Sequence, residues 1–140
     1  MKILIVDDSR EDRDLIITTI QKTKPGEKVL IDESNCLHDA LSKIDLYTYD
    51  VMILDLALPE SDGIETVKTI KKQLEKAHKN IPIIILTGIE DYKIGREIWS
   101  LGVKDYLIKN EVQEKDLSRA LTFATSCNSR QSRRKSVSQF

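Results

Sequence analysis

The chain has 140 residues, with 22 basic and 23 acidic side chains and a formal net charge of −1. A chain of this length can bury a sizeable core as one domain without a disulfide or a structural metal. The small net charge excludes a strong overall field that would attract nucleic acid or an anionic membrane. Two cysteines exclude a disulfide-rich secreted scaffold, and no apolar run reaches the length of a membrane span. We therefore expect a cytoplasmic protein with no membrane partner.

Short apolar segments rich in β-branched residues alternate with segments of helical spacing along the chain. The predicted strands cover residues 3–6, 29–31, 51–54, 81–86 and 103–108, and the predicted helices cover about 9–22, 36–46, 62–77, 91–101 and 113–126. The strand segments are nearly continuous apolar runs, which is typical of parallel strands covered on both faces. In the first helix, Leu15, Ile16 and Ile20 are predicted to face the core. Five such units predict an α/β fold with an open, doubly wound parallel sheet.

Turn residues and composition divide the chain into a body and a tail. Pro25-Gly26 and Asp62-Gly63 mark breaks between the predicted elements. Residues 1–126 are expected to form a single domain. Residues 127–140 are rich in serine and carry four cations and no acid, so we expect a flexible basic tail. A nucleic-acid or lipid patch is the alternative for this tail, although it lacks interleaved aromatic residues.

Polar side chains follow four of the five apolar runs. Asp7-Asp8 follows the first run, Asp55 the third, Thr87 the fourth and Lys109 the fifth. The carboxyl ends of parallel strands meet at one edge of the sheet, where such folds bind their ligands. Taken singly, each of these residues can be a helix cap, a strand-end residue or a solvated side chain.

Together, these residues favour a shared chemical site. Clustered carboxylates repel one another unless a cation or a proton neutralises them. Mg²⁺ prefers oxygen ligands and is typically held by one or two carboxylates together with phosphate oxygens. Thr87 and Lys109 supply a hydroxyl donor and a positive charge for phosphate. The pattern therefore predicts metal-assisted phosphoryl transfer to an aspartate.

Four motifs in order resemble those of the receiver domain of bacterial and archaeal two-component response regulators. They are Asp7-Asp8, Asp55-Leu-Ala-Leu-Pro-Glu-Ser-Asp-Gly-Ile-Glu, Leu86-Thr87-Gly88, and Gly102-Val-Lys-Asp-Tyr-Leu-Ile-Lys109. The resemblance covers residues 1 to about 126. It implies a flavodoxin-like (βα)5 fold whose five-stranded parallel sheet has the order 2-1-3-4-5. It also implies a signalling protein that is a phosphoacceptor switch and not an enzyme, although it assists its own phosphorylation and dephosphorylation.

The resemblance assigns an acceptor and a metal site. Asp55 would accept the phosphoryl group from a histidine kinase or a histidine phosphotransfer protein. Asp8 and Asp55 would bind Mg²⁺ directly, together with the backbone carbonyl of Ala57. Asp7 would act largely through a bound water.

The resemblance also assigns the residues that sense the phosphoryl group. Thr87 would donate a hydrogen bond to its oxygens, and Lys109 would pair with them. Tyr106 matches an aromatic switch position, and a plain strand aromatic that packs on the fourth helix is its equal alternative. The output surface would be the fourth helix, fifth strand and fifth helix. Trp99 lies on that surface and is expected to be a half-buried packing residue.

One departure from the family concerns the residue after Lys109. The family usually has proline there, often in a cis peptide, whereas this chain has Asn110. A non-proline cis bond costs about 3–4 kcal/mol, so we expect a trans bond and a different loop. The sequence Lys109-Asn110-Glu111, with Leu86-Thr87-Gly88 earlier in the chain, resembles receivers that are found alone or attached to sensor and output modules that do not bind DNA. We expect a receiver without its own output domain, which signals to an unidentified protein and for which a homodimer through the output surface is allowed.

Three alternatives compete with this interpretation. A phosphohydrolase of the haloacid dehalogenase type has an Asp-x-Asp pair after its first strand, but position 9 here is serine. A flavodoxin-like cofactor binder would have its phosphate repelled by the acids of residues 7–12. A degenerate receiver that acts only as a docking module is the third alternative. Glu60 and Glu90 flank the acidic edge and are expected to be solvated loop residues, with tuning of acyl-phosphate hydrolysis as their alternative.

Overall fold

Five parallel strands form one sheet at the centre of the protein. The computed structural model describes residues 1–24, 26–61 and 63–137, and the side chains of these residues other than Tyr92 and 127–137. The strands are β1 (Lys2–Val6), β2 (Leu30–Ser34), β3 (Val51–Leu54), β4 (Ile83–Thr87) and β5 (Asp105–Ile108). Their order in the sheet is β2-β1-β3-β4-β5, and every neighbouring pair is parallel. The predicted fold and strand order are confirmed.

One helix follows each strand. The helices are α1 (Arg10–Thr23), α2 (Leu37–Leu46), α3 (Gly63–Lys76), α4 (Tyr92–Ser100) and α5 (Glu114–Val137). One core cluster packs α1 and α5 against one face of the sheet, and the other packs α2, α3 and α4 against the opposite face. The central strands are buried on both faces, which explains their continuous apolar sequences.

The strand order reverses beside β1. The chain runs from β1 outward to β2 and then returns to β3 on the other side of β1. The carboxyl ends of β1 and β3 therefore border the crevice in which doubly wound sheets bind ligands. This geometry places the ends of the two strands that carry the acidic motifs next to each other.

The edge strand β2 differs from its prediction over residues 29–31. It spans Leu30–Ser34 and includes Asp32 and Glu33. Leu30 is 52% exposed. An edge strand pairs with one neighbour only, so its sequence needs less apolar character than that of a central strand. A prediction based on apolar runs therefore places this strand too early.

The first helix confirms one prediction and corrects another. Ser9 is the N-cap of α1, and its side chain accepts a hydrogen bond from the backbone N–H of Asp12. Ile16 and Ile20 are buried, whereas Leu15 is 68% exposed and does not face the core. Successive residues of a helix point about 100° apart, so Leu15 lies outside the narrow stripe that meets the sheet.

The last helix is longer than predicted. α5 runs from Glu114 to Val137, whereas the apolar spacing predicted an end near Ser126. The flexibility of the tail stays a prediction, because side chains 127–137 and residues 138–140 lie outside the described part of the chain. Pro25 and Asp62, which belong to the two predicted breaks, also lie outside it. No described helix combines the length and the apolarity needed to cross a membrane, and a cytoplasmic location stays a prediction.

Candidate functional site

The acidic site is built at the ends of β1 and β3. Val6 pairs with Leu54 in the parallel register, and the backbone N–H of Asp55 donates to the carbonyl of Val6 at 2.9 Å. On the other side, the N–H of Asp7 donates to the carbonyl of Ser34 at 3.0 Å. The ladder therefore extends just beyond the strands and brings Asp7 and Asp55 side by side.

The three predicted aspartates form one cluster. Asp7, Asp8 and Asp55 each offer a carboxylate oxygen, and these oxygens lie within 4.8 Å of one another. Asp7 is 1% exposed and Asp55 is 4% exposed, whereas Asp8 is open to solvent. Burial raises the pKa of the Asp7 carboxyl above its ordinary value, and the nearby charge of Asp55 raises it further. Two buried acids and one accessible acid thus share a small volume.

Lys109 lies at the centre of this cluster, as predicted. Its Nζ is 2.8 Å from Asp7 Oδ2 and 2.9 Å from Asp55 Oδ2. It is also 2.8 Å from Asp12 Oδ2, a contact that the sequence pattern does not predict. Burial lowers the pKa of the Lys109 ammonium, but the contacts with the three carboxylates outweigh burial, so its net pKa is raised. Lys109 therefore stays charged in the folded protein.

The buried Oδ2 of Asp7 has one contact within the protein. Lys109 Nζ lies 2.8 Å from it, and no other donor among the described residues reaches it. The single ammonium of Lys109 is thus shared by three carboxylates, so acidic groups outnumber basic ones in the cluster. Such an oxygen-rich, acidic cluster fits a hard divalent cation such as Mg²⁺.

Thr87 completes the contacts of Asp55. Its side-chain hydroxyl donates to Asp55 Oδ1 at 2.7 Å, and Thr87 is fully buried at the end of β4. The backbone N–H of Lys109 donates to the carbonyl of Thr87 at 2.9 Å, which ties the ends of β4 and β5 together. Each carboxylate oxygen of Asp55 thus has one side-chain donor, Thr87 on Oδ1 and Lys109 on Oδ2.

The loop after β3 keeps Ala57 near the acids. Leu56 and Leu58 are buried on either side of it, whereas Ala57 is exposed. The backbone N–H of Ala57 donates to Asp55 Oδ1 at 3.2 Å. The role of the Ala57 carbonyl as a metal ligand stays a prediction.

Tyr106 contacts the segment that follows Thr87. Its hydroxyl donates to the carbonyl of Ile89 at 3.0 Å, and the N–H of Ile89 donates to the Thr87 hydroxyl at 3.4 Å. Burial raises the pKa of the Tyr106 phenol. Tyr106 and the half-exposed Trp99 line a cavity of about 330 Å³ between α4 and β5.

The Lys109–Asn110 peptide bond is trans, as expected.

Two further acids, Asp12 and Glu60, make contacts that the sequence does not predict. Asp12 lies in the first turn of α1, one turn after the acidic pair, and the Ser9-x-x-Asp12 spacing was the one local indication of its position. The carboxylate of Glu60 accepts hydrogen bonds at 2.8 Å from the N–H groups of Leu37 and His38. These bonds hold the pKa of Glu60 below its ordinary value. Because Cys36 makes no side-chain cap bond, Glu60 caps α2 from another loop and is not simply a solvated residue.

A family model described as the response regulator receiver domain matches residues 3–122. Among curated proteins, the protein-glutamate methylesterase/protein-glutamine glutaminase of Treponema denticola is 38% identical over 111 residues, which are 78% of this chain and 28% of that protein. The cyclic di-GMP phosphodiesterase response regulator RpfG of Xanthomonas campestris is 33% identical over 109 residues, again 78% of this chain and 28% of that protein. The chain thus spans well under half the length of these relatives.

Solved structures also resemble the chain. The receiver domain of the Francisella response regulator 1452 has a TM-score of 0.74 and 26% identity, and the match covers 91% of this chain and 98% of that one. The chemotaxis protein CheY4 of Vibrio cholerae has a TM-score of 0.72 and 26% identity, with 88% and 97% covered.

Proposed function

Because the chain belongs to the response regulator receiver domain family of two-component systems, we propose that Asp55 is its phosphoacceptor. An oxygen of Asp55 attacks the phosphorus of a phosphohistidine on a histidine kinase or a histidine phosphotransfer protein. A P–O bond forms, the P–N bond breaks, and the imidazole leaves with its electron pair and takes up a proton. Water later hydrolyses the acyl phosphate and restores the carboxylate.

The observation that carries this proposal is the set of contacts on Asp55. Thr87 and Lys109 approach its two oxygens at 2.7 and 2.9 Å. A hydroxyl donor and an ammonium at this distance suit the oxygens of a phosphoryl group. The site of Asp55 is 4% exposed, so these donors act where water screens them little.

Mg²⁺ is the cofactor that fits the acidic cluster. Asp8 and Asp55 would hold it directly with the Ala57 carbonyl, and Asp7 would act through water. When bound, the ion neutralises charge on the oxygens of the transferring phosphoryl group. The excess of carboxylates over the single ammonium of Lys109 and the spacing of the three carboxylate oxygens support this ligand set.

Phosphorylation would act on the surface of α4, β5 and α5 through Thr87. A phosphoryl group adds negative charge and strong acceptor oxygens. The Thr87 hydroxyl, which donates to Asp55 Oδ1 in the unphosphorylated protein, would move to donate to a phosphoryl oxygen instead. The hydrogen bond between Ile89 and the Thr87 hydroxyl, and that between Tyr106 and Ile89, give this movement a path to Tyr106. The shift can be no larger than the difference in contact energy between the two forms.

The chain itself is proposed to be a switch and not an enzyme that turns over an external substrate. Some of its relatives carry enzyme names, but the chain matches only part of their length. Its partners would be a phosphodonor protein and a downstream protein that binds the α4–β5–α5 surface. We propose neither direct DNA binding nor a membrane partner for the chain. A homodimer of the chain through the α4–β5–α5 surface is compatible with this function.

Uptake of phosphate from acetyl phosphate tests the proposal. Intact-protein mass spectrometry should show one added phosphoryl group in the presence of Mg²⁺ and none after chelation. Asp55→Asn should abolish uptake. Asp14→Asn, which changes an exposed carboxylate on α1, should leave uptake unchanged. Rapid hydrolysis of phosphomonoesters would instead support the phosphohydrolase alternative, and no uptake by the intact protein would support a docking module.

A further inference from the structure

Asp12 is a fourth carboxylate beside the acceptor site. It belongs to the first turn of α1, where its backbone N–H is held by the Ser9 side chain. Its Oδ2 lies 2.8 Å from Lys109 Nζ. The Asp12 side chain is 42% exposed, so it occupies the solvent side of the ammonium, whereas Asp7 and Asp55 occupy the buried side.

Asp12 and Asp55 share the same lysine. Their Oδ2 atoms are 2.8 and 2.9 Å from Lys109 Nζ, so the distance between the two oxygens cannot exceed the sum of these values. An ammonium has three hydrogens to donate. Lys109 Nζ donates to Asp12 and to Asp55 and lies 2.8 Å from Asp7 Oδ2. Any gain in negative charge on Asp55 is therefore felt by Asp12.

We propose that Asp12 limits how strongly Asp55 holds a phosphoryl group. This inference rests on the proposed function. Phosphorylation replaces one negative charge on Asp55 by a group of nearly two, and the fixed charge of Asp12 opposes that increase. Asp12 also neutralises part of the Lys109 charge that would otherwise act on the phosphoryl oxygens. Asp12 lies outside the cluster of three carboxylates that could hold a metal ion, so it acts through Lys109 and through charge, as a positioning residue.

Asp12→Asn removes the charge and keeps an oxygen that can accept from Lys109. The interaction energy between the charge of Asp12 and the charge added at Asp55 lies between the value expected in bulk water and the value expected near a protein surface. Because Asp12 is partly exposed, we expect a change of roughly three- to tenfold. The change should shrink as salt is added, since the charge of Asp12 is open to solvent on one side.

The test is the affinity for beryllofluoride, a non-covalent mimic of the phosphoryl group, at saturating Mg²⁺. Isothermal titration calorimetry should show that Asp12→Asn binds beryllofluoride three- to tenfold more tightly than the unchanged protein. Asp14→Asn is the matched control, because it removes the same charge from α1 at an exposed position about 200° around the helix from Asp12. The control should bind as the unchanged protein does.

Other outcomes overturn the inference. Equal affinity of Asp12→Asn and the unchanged protein would show that the charge of Asp12 does not oppose the phosphoryl group. Weaker binding would show that Asp12 acts only by orienting Lys109. An equal gain in Asp14→Asn would show a general effect of net charge. If the unchanged protein neither binds beryllofluoride nor takes up phosphate, the proposed function fails, and this inference fails with it.

Discussion

Replacing Lys109 with methionine should destabilise the protein in the absence of Mg²⁺. The substitution keeps an unbranched side chain of similar length and removes the ammonium that contacts three carboxylates. Two of these acids, Asp7 and Asp55, are almost completely buried. They would then lie close together without the cation that separates their charges.

The size of the loss follows from burial. Removing one partner from a buried ion pair typically costs about 3–5 kcal/mol. Lys109 is 21% exposed and the side chain of Asp12 is 42% exposed, so solvent screens part of the interaction. Asp7 can also take up a proton, because burial already raises its pKa. We therefore expect a loss of about 2–3 kcal/mol at neutral pH, equivalent to roughly 5–10 °C in Tm for a domain of this size.

The penalty should depend on pH and on Mg²⁺. A carboxyl whose pKa is higher in the folded state than in the unfolded state destabilises the fold as pH rises through the folded pKa. Lys109→Met should raise the pKa of Asp7 further, so the stability penalty of the substitution should be largest at neutral pH and should shrink as pH falls below neutral. Saturating Mg²⁺ should also reduce the penalty, because the ion replaces the lost positive charge.

Urea denaturation followed by circular dichroism measures these effects. Lys115→Met is the matched control, since Lys115 is an exposed lysine on α5, and it should change stability little. A Lys109→Met protein as stable as the unchanged one would refute the electrostatic reasoning. A penalty that grows at low pH, or that Mg²⁺ leaves untouched, would refute it as well.

Two further predictions concern proton competition and the cap of α2. Mg²⁺ affinity should fall as pH drops below neutral, because protonation of Asp7, whose pKa is raised by burial, competes with the metal. Calorimetric titration at several pH values should show this trend, and a constant affinity would contradict it. Glu60→Ala should lower the stability of the protein, because α2 loses the carboxylate that accepts from two of its first N–H groups. Cys36→Asp in the same chain should restore most of the loss by giving α2 a cap of its own. Glu90→Ala, at another exposed loop acid, is the control in the same urea experiment, and a Glu60→Ala protein of unchanged stability would refute the capping role.

The central strands could be predicted because burial on both faces requires their sequences to be almost entirely apolar. β1, β3 and β4 are covered on both faces, so their apolar runs are nearly continuous and their polar neighbours stand out at the strand ends. That pattern is sufficient to bring Asp7, Asp55 and Thr87 to one edge of the sheet. β2 is less regular in sequence because it is an edge strand, and its bounds were therefore misplaced.

Contacts between distant segments could not be predicted in the same way. The contact of Asp12 with Lys109 depends on how α1 packs relative to the end of β5. The cap that Glu60 provides for α2 joins two loops, and sequence rules for capping consider only residues next to the helix. The exposure of Leu15 likewise depends on the rotation of α1 on the sheet, which apolar spacing alone defines only loosely.

The phosphorylated residue can be identified by chemical trapping. Borohydride reduces an aspartyl phosphate to homoserine, so the protein can be treated with acetyl phosphate and Mg²⁺, reduced, digested and mapped by mass spectrometry. If Asp55 is the phosphoacceptor, homoserine appears at position 55 in the sample with Mg²⁺, and Asp55 is unmodified in the chelated sample. Homoserine at another aspartate, or none in a sample that carries phosphate, would contradict this role of Asp55.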